Sequence, residues 1–173
     1  GNSKFASSSY QTAIEVDPNY FDAYIHMGML SENLDNHNAV NYYNSAIEIE
    51  PNNIEGYRNK GLFYHFRSEY INARKSFKKI INIDSNFEET YFNIGNTYLG
   101  QYDQINNNDF LDSAFFYFKK ANDLNQYYVQ AIHNIGLCYE IKKDFEMAKS
   151  YYKKAIEIDN NYNPSLNALN SLY

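Results

Sequence analysis

The side chains able to perform chemistry are not spaced as chemistry requires. Four histidines, His26, His37, His65 and His133, are strung along most of the chain, and no two fall within a helical turn of each other. A metal site needs its ligands to converge on one ion at about 2 Å, so groove-lining or surface roles are expected for these rings. The single Cys138 excludes an internal disulfide framework and a multi-cysteine zinc site; it reads as a small packing residue. A glycine-rich phosphate loop, a His-Glu-x-x-His pair and a serine or cysteine nucleophile in a recognisable setting are all missing from the sequence. No catalytic residue, no metal and no cofactor is therefore expected, and the chain reads as a non-enzyme.

Bulk properties narrow the class further. With 44% hydrophobic residues, 19 Tyr, 12 Phe and no Trp, the chain is too apolar for a disordered segment, and its core must be filled by Tyr and Phe rings. A net charge of -6 argues against nucleic acid, which needs clustered Lys and Arg. No apolar run reaches the roughly 18 residues of a membrane span, and the first ten residues lack the order of a signal peptide. A soluble chain, with the cytoplasm favoured, is the expectation. Charge is uneven: residues 54–87 carry Arg58, Lys60, Arg67, Arg74, Lys75, Lys78 and Lys79 against three acids, whereas residues 21–53 carry acids alone. The basic run on 74–79 reads as a solvated helix face.

The elements that position these residues repeat along the chain. One phrase runs aromatic, two residues, apolar, Gly, two residues, Tyr. It occurs as Tyr91, Ile94, Gly95, Tyr98 and as Ile132, Ile135, Gly136, Tyr139, with looser copies at Tyr57, Lys60, Gly61, Tyr64 and at Tyr24, Met27, Gly28, Ser31. A second phrase follows each: Ala39, Tyr43, Ala46; Ala73, Phe77, Ile80; Ala114, Phe118, Ala121; Ala148, Tyr152, Ala155, with an orphan copy at Ala6, Tyr10, Ala13. Offsets of three, four and seven put each phrase on one helical stripe. Gly has no Cβ and Ala is nearly as small, so two antiparallel helices approach closely at these residues while the aromatic rings fill the space beside them.

Together the two phrases resemble the tetratricopeptide repeat, whose period is about 34 residues. The resemblance implies an all-α fold, a right-handed α-solenoid of antiparallel helix pairs forming a single array over 1–173. Its expected parts are the second helix of a partial repeat (1–20), repeats at 21–53, 54–87, 88–128 and 129–162, and a terminal or partial-repeat helix (163–173). The third repeat carries an insertion at about 101–108, rich in Asn and Gln, expected as a polar loop or a flap against a partner. Both ends look open, as in a segment cut from a longer protein.

The resemblance also implies where a guest would sit. In the family the concave groove lined by the first helices binds ligands, and the residue two before each motif glycine faces it: His26, Asn59, Asn93 and Asn134. The three Asn resemble the asparagine ladder of some members, which grips a peptide backbone. Arg58, Leu62, Phe92, Asn96, His133 and Leu137 are expected beside them, with Ile25, Met29, Phe66, Leu99 and Ile141 adding apolar surface. A carboxylate clamp known in the family would use five of these places; Arg58, Asn96 and His133 could serve, but Leu62 and Leu137 leave it incomplete. The expected function is a protein-protein interaction module holding a peptide or protein segment, with no nucleic-acid partner and no membrane insertion. The alternatives are a targeting or substrate-recruiting domain of a larger enzyme, such as a glycosyltransferase, and a scaffold that self-associates through open solenoid ends.

Overall fold

The computed structural model describes residues 2–33 and 38–173, and the side chains of all of these except 2, 3 and 33. His37, one of the four histidines, lies outside the described residues. All regular structure among the described residues is helical: α1 (Asn2–Val16), α2 (Phe21–Asn33), α3 (Ala39–Ile49), α4 (Ile54–Phe66), α5 (Tyr70–Ile83), α6 (Glu88–Ile105), α7 (Asn108–Leu124), α8 (Val129–Ile141), α9 (Phe145–Ile158) and α10 (Asn163–Ser171). Two compact units form, Gly1–Ser85 with α1 to α5 and Asn86–Tyr173 with α6 to α10. In the first, α2 packs on α1, α3 and α4, and α4 packs on α3 and α5; in the second, each helix packs on the next.

The close approach of paired helices is made as the two sequence phrases require. A Cβ added to Gly28 would lie 2.4 Å from the Tyr43 ring; at Gly61, Gly95 and Gly136 it would lie 2.4, 2.6 and 2.8 Å from Phe77, Phe118 and Tyr152. Each of these four rings is fully buried, as are Ala39, Ala46, Ala73, Ala114, Ala121, Ala148 and Ala155. Burying one such ring contributes roughly 1.5–3 kcal/mol, and it can be buried only because the facing residue has no side chain. Around them the first unit gathers Phe21, Ile25 and Phe63, and the second gathers Leu111, Ile135 and Cys138.

The insertion behaves differently from its composition. Of the polar stretch 101–108, only Asn106 and Asn107 lie between helices. The expected loop is corrected to a longer hairpin: α6 has 18 residues and α7 has 17, against 13 for α4 and 14 for α5. Side-chain packing overrides the weak helix propensity of Asn. Tyr98 stacks on Phe110 at 6.4 Å and on Tyr117 at 5.5 Å, while Tyr102 packs against the core. Asn106 makes the reversal at a φ of 54°, a left-handed backbone that Asn tolerates better than most residues. The Asn107 side chain then accepts the Asp109 N–H and caps α7.

Cys138 bears on the core directly. Burial removes it from solvent entirely and pushes its thiol up to about 12, so almost no thiolate exists near neutral pH. Iodoacetamide labelling of the native chain at pH 8 is expected to run at least about 100-fold slower than labelling in urea, limited by opening of the fold. Labelling at the rate of a free thiol would place Cys138 outside the core.

Candidate functional site

Helix geometry sorts the candidate residues by their offset from the ring-covered glycine. At about 100° per residue, a side chain two residues before that glycine points about 160° away from the partner helix. One three residues before it turns only about 60° off, back toward the hairpin. The first set is His26, Asn59, Asn93 and Asn134; the second is Ile25, Arg58, Phe92 and His133.

The second set packs against its own hairpin in the cases where contacts are seen. Ile25 is 2% exposed. The Phe92 ring lies 5.8 Å from Phe118 and 5.1 Å from Tyr128. His133 repeats that arrangement in the next hairpin, 5.2 Å from Tyr152 and 5.6 Å from Tyr162. Its Nδ1 shares a 3.0 Å hydrogen bond with the buried Ser165 hydroxyl on α10. Burial lowers the His133 pKa, with Glu140 opposing, which keeps the ring neutral. Arg58 is half-buried on α4.

The first set is more varied. His26 is exposed, and its ring stacks on Tyr10 of α1 at 5.0 Å. Asn59 is half-buried, with an Nδ2 shielded from solvent and no hydrogen-bond partner among the described residues. Asn93 is 9% exposed and donates weakly to Glu89 at 3.4 Å. Asn134 donates to Asn96 Oδ1 at 3.0 Å, tying the first helix of one hairpin, α8, to that of the hairpin before it, α6. One residue past the glycines, Leu62 and Leu137 are half-buried while Met29 is well exposed; Phe66, the last residue of α4, is well exposed too. Leu99 and Ile141 instead pack on the core.

Sequence reasoning passed over one pair of contacts. The Tyr43 hydroxyl donates to Glu32, and the Tyr152 hydroxyl donates to Glu140 at 2.6 Å. Each Glu stands four residues after a ring-covered glycine. Where the buried ring is Phe77 or Phe118, that place holds His65 or Leu99, neither of which can accept from a hydroxyl as a carboxylate does. The signal was present as Tyr with Glu against Phe without Glu. Among the described residues no cluster of His, Cys, Asp and Glu could hold a metal ion, and no helix is long and apolar enough to cross a membrane.

Comparison with known proteins agrees with this geometry. The family model described as tetratricopeptide repeat matches residues 21–53 and 129–162. Anaphase-promoting complex subunit 3 of Schizosaccharomyces pombe is 30% identical over 93 residues, which is 53% of this chain and 13% of that protein. Among solved structures, MamA of Desulfovibrio magneticus RS-1 superposes with a TM-score of 0.76 at 19% identity, covering 94% of this chain and 88% of that one. PilF of Pseudomonas aeruginosa gives 0.77 at 20% identity, covering 96% and 73%. At such identities these two structures establish the fold. A surface of stacked helical hairpins is a scaffold for protein interaction. A glycine lies under a buried ring in each of four hairpins, and the two of them within residues 21–53 and 129–162 match the tetratricopeptide repeat by sequence as well.

Proposed function

We propose that the chain is a non-catalytic binding module that takes a peptide, or an extended segment of a protein, against the first-helix faces of its hairpins and grips the guest's backbone through asparagine amides. The Asn134–Asn96 hydrogen bond carries this reading. It fixes both side chains and leaves the Asn96 N–H donors and the Asn134 carbonyl without a partner among the described residues. A peptide group offers one C=O and one N–H, which this pair can meet without requiring any particular side chain. Exchanging O and N in both amides leaves the same complement.

Other features support it. In the first unit Asn59 holds an unpaired, shielded Nδ2; such a donor costs about 1–3 kcal/mol, which a guest carbonyl would relieve. Leu62 and Leu137 offer apolar contact beside the amides, so an extended peptide or an amphipathic helix with apolar side chains suits the surface better than a highly charged ligand.

Affinity capture on the immobilised chain tests the reading. Asn96→Ala with Asn134→Ala removes the pair, while Lys153→Ala with Lys154→Ala alters exposed residues of α9 as a control. Losing two hydrogen bonds of about 1 kcal/mol each weakens binding roughly tenfold or more, and the control binds as wild type. Equal capture by all three chains removes the groove from the account.

A second reading keeps the same surface but makes it the recruiting part of a larger protein. The S. pombe relative is by name a subunit of a complex, and the chain spans a small share of it. Recovering the native protein at its own full length, with its associated chains, separates the two readings.

A further inference from the structure

The outward side of α7 departs from its counterparts in a way the fold does not require. Two residues before the buried ring, the other hairpins carry Asn41, Lys75 and Ser150, all polar and exposed. In the third hairpin that place holds Phe116, 59% exposed. Apolar surface left in water contributes nothing to folding, and three hairpins of one chain close without it. Beside Phe116 runs a cleft of about 290 Å³ lined by Phe115, Phe116, Lys119, Lys120 and Asp123. That is room for one aromatic or aliphatic side chain against the two phenylalanines.

The charge around the cleft selects its occupant. Lys119 is half-buried and has no ion-pair partner among the described residues. Lys120 lies over the Tyr91 ring at 5.3 Å, an interaction that leaves its charge uncompensated. Asp123 is the one acid in the lining, so the cleft is net positive on a chain whose net charge is -6. Nearby, Lys142 lies over the Phe115 ring and is neutralised by Asp112 at 2.5 Å. A basic partner would meet two lysines here, while an acidic one would pair with them as its apolar anchor is desolvated.

We infer that this face of α7 is a second docking surface, distinct from the first-helix face, and that it takes a short acidic peptide segment through one aromatic or aliphatic anchor seated in the cleft beside Phe116. The amides proposed to hold a guest elsewhere play no part in it.

The test is an NMR titration of the isotopically labelled chain with a synthetic peptide whose Phe-Leu centre is flanked on both sides by Asp and Glu. Shifts are expected along α7. Phe116→Ser, which installs the residue type of the fourth hairpin, weakens binding about tenfold or more, as loss of a buried anchor does. Lys119→Glu weakens it about fivefold and more so at low salt. Phe116 is exposed and Lys119 half-buried, and circular dichroism confirms that the variants remain folded. Asn96→Ala with Asn134→Ala binds this peptide as wild type does, so the two surfaces fail or stand separately.

Several results would overturn the inference. They are no shift along α7 at millimolar peptide, equal binding of a peptide with an Ala-Ala centre, unchanged affinity in Phe116→Ser, or loss of binding in the asparagine variant. Shifts produced by phosphatidylserine vesicles and not by the peptide would assign the face to a membrane and overturn it equally.

Discussion

Replacing Gly95 by alanine is expected to lower the stability of the second unit, although alanine is the better helix former by about 1 kcal/mol. The new Cβ would stand 2.6 Å from the Phe118 ring, which has no exposed surface and no room to retreat. Overpacking of this kind costs about 1–3 kcal/mol, enough to cancel the propensity gain and exceed it. Gly95→Val adds two further methyl groups and a β-branched side chain, and should cost about 3 kcal/mol or more. Gly56→Ala is the internal control. Its nearest neighbour is the Ile47 side chain, with Cγ1 at 2.8 Å, and Ile47 is half-buried and able to rotate, so its effect should stay within about 1 kcal/mol. Urea midpoints order the variants, and Phe118→Leu should recover part of the Gly95→Val loss because the two substitutions share one contact. A Gly95→Ala chain more stable than wild type would mean that the ring does not cover the glycine.

That contact is also why the fold was legible. A glycine in mid-helix paired with an aromatic residue on the next helix is a strong pattern, because each is unfavourable or unexplained without the other. Four copies, three of them with ring and glycine 15 or 16 residues apart and the one in the third hairpin stretched by its insertion, leave little freedom for a different arrangement. The 101–108 stretch was not legible for the opposite reason. Its Asn and Gln residues have weak local preferences, and the contacts that keep it helical join Tyr98 to Phe110 and Tyr117 across the hairpin, a pairing that no single window of sequence contains. At the candidate site, offset from the glycine carried most of the information. Asn134 has an amide partner in Asn96, on the preceding first helix. Phe92 and His133, one residue earlier in the turn, meet rings of their own hairpins. Phe116 escaped notice because an exposed aromatic residue is conspicuous only when the equivalent places in the other hairpins are compared.

Tyr43→Phe is expected to destabilise the first unit by an amount that grows with pH. Burial holds the Glu32 carboxyl above the ordinary 4.5, and the Tyr43 hydroxyl, by donating to it, pulls in the opposite direction. Burial and the same carboxylate together push the phenol far above its usual value, so it remains a donor throughout the working range. A carboxyl whose pKa is higher folded than unfolded binds its proton more tightly in the folded state. Its contribution is therefore fully present below the unfolded pKa and is lost as pH rises through the folded one. Removing the hydroxyl takes away the influence that favours the ionised form, raises the folded pKa further and widens that window upward. The penalty should be about 1–2 kcal/mol above the folded pKa, moderated by solvent because Glu32 is only half-buried, and should shrink as pH falls through the folded pKa values of variant and wild type, both above the ordinary 4.5. Urea midpoints of wild type and Tyr43→Phe measured from pH 4 to pH 8 read this directly. In a Glu32→Gln background the same substitution should give a difference that does not vary with pH. A difference equally flat in the wild-type background would separate the hydroxyl from the carboxylate and leave Tyr43 acting only as the ring that covers Gly28.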